Sequence, residues 1–394
     1  DFCLSRGLGD VYKRQLKLRL GAGIVGNQEG LGYANFIRRT RFSDIGITDN
    51  LTVTNSGTQF VGNNNEALQW ESTLDVNVGV DFGFNNDRFN GSFNLYRKET
   101  TDLLLLSTLA APQVPGIETI FQNLTDGKVV NQGVELALNY DFVQTEDFTF
   151  SSSFNIAYNH NEVLDTDRII DTGPINGNGL TGAFAQRLQA GQPLFSFYMA
   201  EFTGFDENGN PTYVDVDGNG EGDPDADKKF VGEDAQPDWT AGLSLNATYK
   251  NFDFAAYFNG QFGFSVYNAT DNAFFNAGGI TIAKNVTTDV LTSGEAPGSS
   301  VAVSTRFLEK GDFVRLQTLS VGYNVPMSGE GLFDSLRFSV TGQNVFLITG
   351  YSGLDPEVST NTGSLNASNI PTAGIEYAAF PRPRTFTLGV NARF

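Results

Sequence analysis

Asp215, Asp217, Asn219, Glu221 and Asp223 put oxygen-bearing residues at alternate positions of the stretch VDVDGNGEGDPDAD, and Gly220 stands sixth from Asp215. This follows the calcium-loop pattern D-x-[DN]-x-[DN]-G, in which the glycine permits a sharp turn around a hard cation and the residue after it offers its backbone carbonyl. The twelfth position is Ala226 instead of a bidentate Glu, with Asp225 and Asp227 on either side. The loop therefore reads either as a calcium site or as an acidic hairpin extension without an ion. Gly21, Ala22, Gly23, Ile24, Val25 and Gly26 spell G-x-G-x-x-G after a strand, but no amphipathic helix and no acidic residue completes a nucleotide-binding unit. His160 is the single histidine and no G-x-S-x-G elbow occurs, so no nucleophilic triad is spelled out and no enzymatic activity is expected.

The elements that hold these residues are strands. Residues 68–84 place Leu68, Trp70, Leu74, Val76, Val78, Val80, Phe82 and Phe84 on one face, and Gln69, Glu71, Thr73, Asp75, Asn77, Gly79, Asp81 and Gly83 on the other. That period of two belongs to a strand with one apolar face. It recurs at 16–23, 88–98, 134–142, 148–158, 239–249, 252–264, 313–325, 336–346 and 384–394, giving ten expected strands. The connectors alternate between short ones, such as 85–87 and 250–251, and long ones, such as 159–238 and 265–312. Phe82, Phe84, Phe89, Tyr140, Phe142, Phe148, Phe150, Tyr249, Phe252 and Phe254 gather beside the short connectors. Apolar outer faces, aromatic girdles, short turns on one side and long loops on the other describe an antiparallel transmembrane β-barrel with its short turns in the periplasm.

Composition agrees. Phe alone contributes 34 residues and Gly 44, while only 40% of the chain is hydrophobic, and no run approaches the roughly 20 apolar residues of a membrane helix. A net charge of −20 argues against nucleic acid, whose phosphates require clustered Lys and Arg. With Cys3 as the lone cysteine, no internal disulfide can form. Residues 1–15 (DFCLSRGLGDVYKRQ) lack strand alternation and a signal-peptide pattern, resemble translated library adapter, and are set apart as a non-native segment. Residues 194–205 cannot be a crossing, because 148–158 must run outward and 239–249 inward; a hairpin with 211–216, turning at 206–210, is expected above the membrane. Tyr198, Phe202, Phe274, Phe275, Tyr351 and Tyr377 in the long loops could stack on cargo or simply pack the loops.

The stretches 16–28 (LKLRLGAGIVGNQ), 68–84, 95–104 (LYRKETTDLL), 131–138 (NQGVELAL), 187–193 (RLQAGQP), 307–326 (FLEKGDFVRLQTLSVGYNVP), 343–357 (QNVFLITGYSGLDPE) and 380–394 resemble the SusC/RagA family of TonB-dependent outer-membrane transporters of Bacteroidetes. The resemblance implies that 16–394 is the C-terminal part, about ten strands, of a plugged barrel of roughly 22 strands. It implies import of oligosaccharides or peptides with a SusD-like lipoprotein lid and energy from the TonB–ExbB–ExbD complex through an N-terminal part; no cofactor is required, and the loop pattern alone leaves a calcium ion open. Thr387, Gly389, Ala392 and Phe394 resemble the terminal signal read by the barrel-assembly machinery. An autotransporter translocator or adhesin-type barrel remains the alternative among outer-membrane barrels.

Overall fold

A computed structural model describes residues 14–28, 37, 39–44, 48–49, 52–53, 56–60, 62–108, 119–166, 168–175, 180, 182–281, 283–298, 302–327, 333–357 and 372–394. Residues 1–13, nearly all of the segment set apart in the sequence, lie outside the described residues.

Ten strands form one antiparallel sheet in simple sequence order: β1 (Arg14–Asn27), β2 (Glu71–Phe84), β3 (Phe89–Thr108), β4 (Thr119–Gln144), β5 (Phe148–Asp165), β6 (Trp239–Tyr249), β7 (Phe252–Phe262), β8 (Phe313–Asn324), β9 (Ser335–Thr349) and β10 (Thr385–Arg393). These are the ten strands expected, in up-and-down order. Among the described residues β1 and β10 do not pair with each other, so the ten strands make an open portion of barrel wall. No helix among the described residues is long and apolar enough to cross a membrane.

The apolar faces point away from any core. Leu18 is 57% exposed, Val76 44% and Leu388 81%. Water would penalise such a surface; lipid makes it the favourable one. At the short-turn end, Phe82, Phe84, Phe89, Tyr140, Phe142 and Phe150 form a continuous run of ring contacts with centroids 4.5–6.2 Å apart. Tyr158 and Trp239 touch at 4.9 Å near the opposite end. Trp239 and Tyr249 bound β6. Ten residue steps at about 3.4 Å, tilted by about 40–45°, separate them by about 25 Å along the membrane normal, the height of an outer-membrane apolar band.

The turns obey their chemistry. Asn85, Asn86 and Asp87 all adopt the left-handed region (φ 55°, 57° and 60°), which Asn and Asp tolerate. Arg88 then clamps the neighbouring hairpin through the Asp141 and Phe142 carbonyls (2.9 and 3.0 Å), where β4 bulges between Asp141 and Val143.

The long loops build a cap. Residues 159–238 supply a four-stranded sheet of Ile170–Pro174, Phe184–Leu188, Ser196–Ala200 and Lys228–Asp234. Ser265–Asn268 pairs with Leu308–Lys310 and with Ile375–Glu376, and leads into a short helix, Ala269–Phe274. Phe197, Met199, Tyr267 and Ile375 from three separate loops are fully buried together. The expected hairpin is only partly formed: Phe202–Phe205 pairs with Pro211–Tyr213, whereas Ser196–Ala200 leaves it for the four-stranded sheet. Burial of Phe197 and Met199 in the cap core accounts for the departure.

Candidate functional site

The face opposite the lipid side is polar and ordered. Arg19 on β1 reaches Asp81 on β2 and Asn94 on β3, both at 2.7 Å, and the Tyr96 hydroxyl donates to Asn159 Oδ1 at 2.7 Å. Arg19, Asn94, Tyr96 and Asn159 line a recess of about 520 Å³ with Asp75, Lys98 and Glu135. Arg337 on β9 grips Asp253 on β7 through two bonds of 2.6 and 3.2 Å, passing over β8 at Gly322. A Cβ at Gly322 would lie 2.3 Å from Arg337 Nη2, so glycine is what lets the guanidinium cross.

The acidic loop is wound tightly on its own amides. Asp215 accepts from the Gly218 and Gly220 amides (2.7 and 2.8 Å), and Asp217 from the Asn219 amide (3.0 Å). Asn219 Oδ1 accepts from Glu221 N, and Asp223 Oδ1 from Asp225 N, both at 2.8 Å. Asp227, fully buried, closes the loop by accepting from Val216, Asp217 and Asp223. Those backbone amides, the Asp223 amide first, hold the Asp227 carboxyl below the usual carboxylate range. The carboxylates of Asp215, Asp217 and Asp227 come within 4.8 Å of one another. Asp227, one of the residues flanking Ala226, joins Asp215 and Asp217 in that group. Three convergent carboxylates and a glycine-turned loop suit a hard divalent cation.

Other residues singled out from the sequence have structural partners. Tyr198 carries the Arg187 guanidinium over its ring at 3.7 Å and Phe230 edge-on at 5.1 Å. Phe202 packs with Phe205 and Tyr213, Phe274 stacks on Tyr377, and Tyr351 is buried beside Phe264 and Phe313. These aromatics pack the loops. His160 sits 3.7 Å from Glu162 at a half-exposed strand position. The glycines at 21–26 run within β1, with Gly21 opposite Asn77. At the terminal strand Thr387 and Gly389 pair with Thr341 and Ser339 on the polar side, Ala392 pairs with Leu336, and Phe394 contacts Phe333 at 4.9 Å.

One constellation escaped sequence reading. Arg315 on β8 is buried with Asp355 (2.6 Å), and Glu357 lies between Arg315 and Arg382, 3.0 Å from each. Asn344, left-handed at φ 52°, accepts from Arg315 and donates to the Arg382 carbonyl at 2.8 Å. The cluster ties the loop after β9 to the top of β8. Its only sequence signal was that these residues fall within the stretches that resemble the family.

A wall with a lipid face, a polar inner face and a packed outer cap defines an outer-membrane β-barrel of the transport type. A family model described as TonB dependent receptor-like, beta-barrel, matches residues 19–345. TonB-dependent receptor P3 of Formosa agariphila is 32% identical over 84% of this chain and 35% of its own length. TonB-dependent receptor SusC of Bacteroides thetaiotaomicron is 30% identical over 96% of this chain and 37% of its own. Among solved structures, the RagAB peptide importer in its "open-open" state superposes with a TM-score of 0.78 at 24% identity, and in its "closed-closed" state with 0.74 at 25%; each match covers 96% of this chain and 40% of the other. The chain belongs to the TonB-dependent receptor β-barrel family, in its SusC/RagA group, and is an outer-membrane protein. It spans about 35–40% of the length of the relatives it matches.

Proposed function

We propose that the protein containing this chain is a TonB-dependent importer of oligosaccharides or peptides, working with a SusD-like lipoprotein on its outer face and drawing energy from the TonB–ExbB–ExbD complex. The observation that carries the reading is the polar inner face of a ten-stranded wall, with ion pairs across its strands, roofed by a packed outer cap. Such a face serves passage of a hydrophilic solute, so the chain acts in transport. The terminal residues Thr387, Gly389, Ala392 and Phe394 serve recognition by the barrel-assembly machinery. Uptake of labelled oligosaccharides and peptides by cells carrying or lacking the complete gene tests the reading. Uptake that requires both the gene and TonB supports it; uptake unaffected by deletion of either refutes it.

The acidic loop binds calcium in this reading, supported by the convergence of Asp215, Asp217 and Asp227. Calcium titration of the complete protein should be saturable and weakened by Asp217→Ala. Unchanged binding in that variant would leave the loop as an amide-wound turn held by Asp227 alone.

A further inference from the structure

The cap encloses a cavity of about 590 Å³ between Phe184–Leu188, Ser196–Ala200 and the end of the acidic loop. Its polar lining is electrically balanced: Arg187 and Lys228 against Asp171 and Asp225. The two ion pairs are unlike. Arg187 is fixed, its Nε 2.7 Å from one oxygen of Asp171 and its guanidinium flat on Tyr198. Lys228 meets Asp225 only at 3.4 Å, and the Asp225 side chain is 93% exposed. A pair so exposed is worth little, so Lys228 and Asp225 change partners at small cost. Gln186, also in the lining, is buried; its amide nitrogen donates to the Phe195 and Ala373 carbonyls, while its Oε1 has no partner. That oxygen lies beside Gly173 and Ile375, shut off from the cavity, so the ligand-facing groups are the charged ones.

We propose that this cavity is a subsite for the charged ends of a short peptide. The inference rests on the import reading and names the cargo class. A zwitterion offers a carboxylate for Lys228 and Arg187 and an ammonium for Asp225 and the second oxygen of Asp171. An extended tripeptide spans about 10 Å, and the volume lies within the roughly 300–1,000 Å³ of small-ligand sites. A pyranose finds less here. Arg187 lies over Tyr198 and Phe230 meets it edge-on, so the ring offers no open platform for a sugar face.

Calorimetric titration of the complete protein in detergent with triglycine, N-acetyl-triglycine amide and maltotriose tests this. Triglycine should bind saturably, the capped peptide and maltotriose at least tenfold more weakly. Lys228→Gln should weaken triglycine at least tenfold and Lys228→Arg should restore most of it, with heat-modifiable mobility on gels confirming that each variant is folded. Equal binding of the capped peptide, tighter binding of maltotriose, no binding of triglycine, or indifference to Lys228→Gln overturns the inference. TonB-dependent uptake of peptide that Lys228→Gln leaves intact would remove the subsite and leave the import reading standing. Triglycine binding without any TonB-dependent uptake would do the reverse.

Discussion

Asp355→Asn removes one charge from the buried cluster above β8 while keeping the side chain's size and an acceptor for the Glu357 amide, which Asp355 Oδ1 now takes at 3.0 Å. The side chains of Arg315 and Asp355 are 1% and 3% exposed, so water cannot replace the lost partner. Breaking a buried pair from one side costs about 3–5 kcal/mol, because the remaining charge stays desolvated. Glu357 and Asn344 still reach Arg315, which puts the expected cost at the lower end, about 3 kcal/mol, or about two powers of ten in an opening equilibrium. The cluster joins the loop after β9 to the barrel, so the loss is local. Hydrogen exchange read by mass spectrometry should show faster exchange across 350–357 and 372–379, with β6 and β7 unchanged. The double variant Arg315→Met with Asp355→Leu should recover protection relative to Asp355→Asn, since no uncompensated charge remains at that pair. Equal deprotection of β6 and β7, or a double variant worse than the single one, would refute the assignment of the cluster as a loop anchor.

Three further outcomes follow from the same geometry. Leu388→Arg on the lipid face of β10 should cost about 2–4 kcal/mol in unfolding from liposomes if it lies near mid-membrane, whereas Thr387→Arg on the polar face should cost far less; equal costs would sink the two-faced wall. Gly322→Ala brings a methyl to 2.3 Å from Arg337 Nη2, and swinging the Arg337–Asp253 pair aside should cost about 1–2 kcal/mol in the same assay. Burial above all, with Glu309 and Glu376 nearby, pushes Asp271 up to about 6. The folded cap therefore holds that proton more tightly than the unfolded chain does, and its stability falls as pH rises from about 4 through 6; Asp271→Asn should abolish this loss, raising protection of 265–275 at pH 7 by about 1 kcal/mol after allowance for partial exposure.

The wall was legible because lipid and lumen read alternate residues, so each crossing announces itself by a period of two. β6 begins and ends at the expected residues, 239 and 249, since both ends carry interfacial aromatics. β4 begins at Thr119 instead of 134, because above the membrane neither face is lipid and the apolar contrast that marks a strand disappears. Arg315 was missed for another reason. Residues 313–325 read as one strand whose apolar phase changes near 317, and β8 bulges there, so that Leu316 pairs with Phe258 and Arg315 with Asn259 on the inner side. One inserted residue reverses every assignment beyond it. The acidic loop showed its ligand types in advance, yet the residue that closes it, Asp227, stood at no expected position because it serves the loop's amides first.

The cap was least legible, and the reason bears on function. Phe197, Tyr267 and Ile375 meet from loops far apart in sequence, and short cap strands of two to seven residues leave little periodicity to detect. Water surrounds this part, so it must assemble its own core, and any three apolar residues of suitable volume can do so. The wall has no such freedom, since each outward position answers to lipid and inner-face glycines such as Gly21, Gly79 and Gly322 answer to a neighbour's side chain. Cargo preference placed in the cap, at Arg187 and Lys228, can therefore change by loop substitution without disturbing the strands that cross the membrane. Exchange of the 159–238 loop between relatives should accordingly transfer cargo preference while leaving barrel unfolding in liposomes within about 1 kcal/mol, the range of substitutions away from packed sites. A chimaera that folds but keeps the recipient's preference would place selectivity on the wall instead.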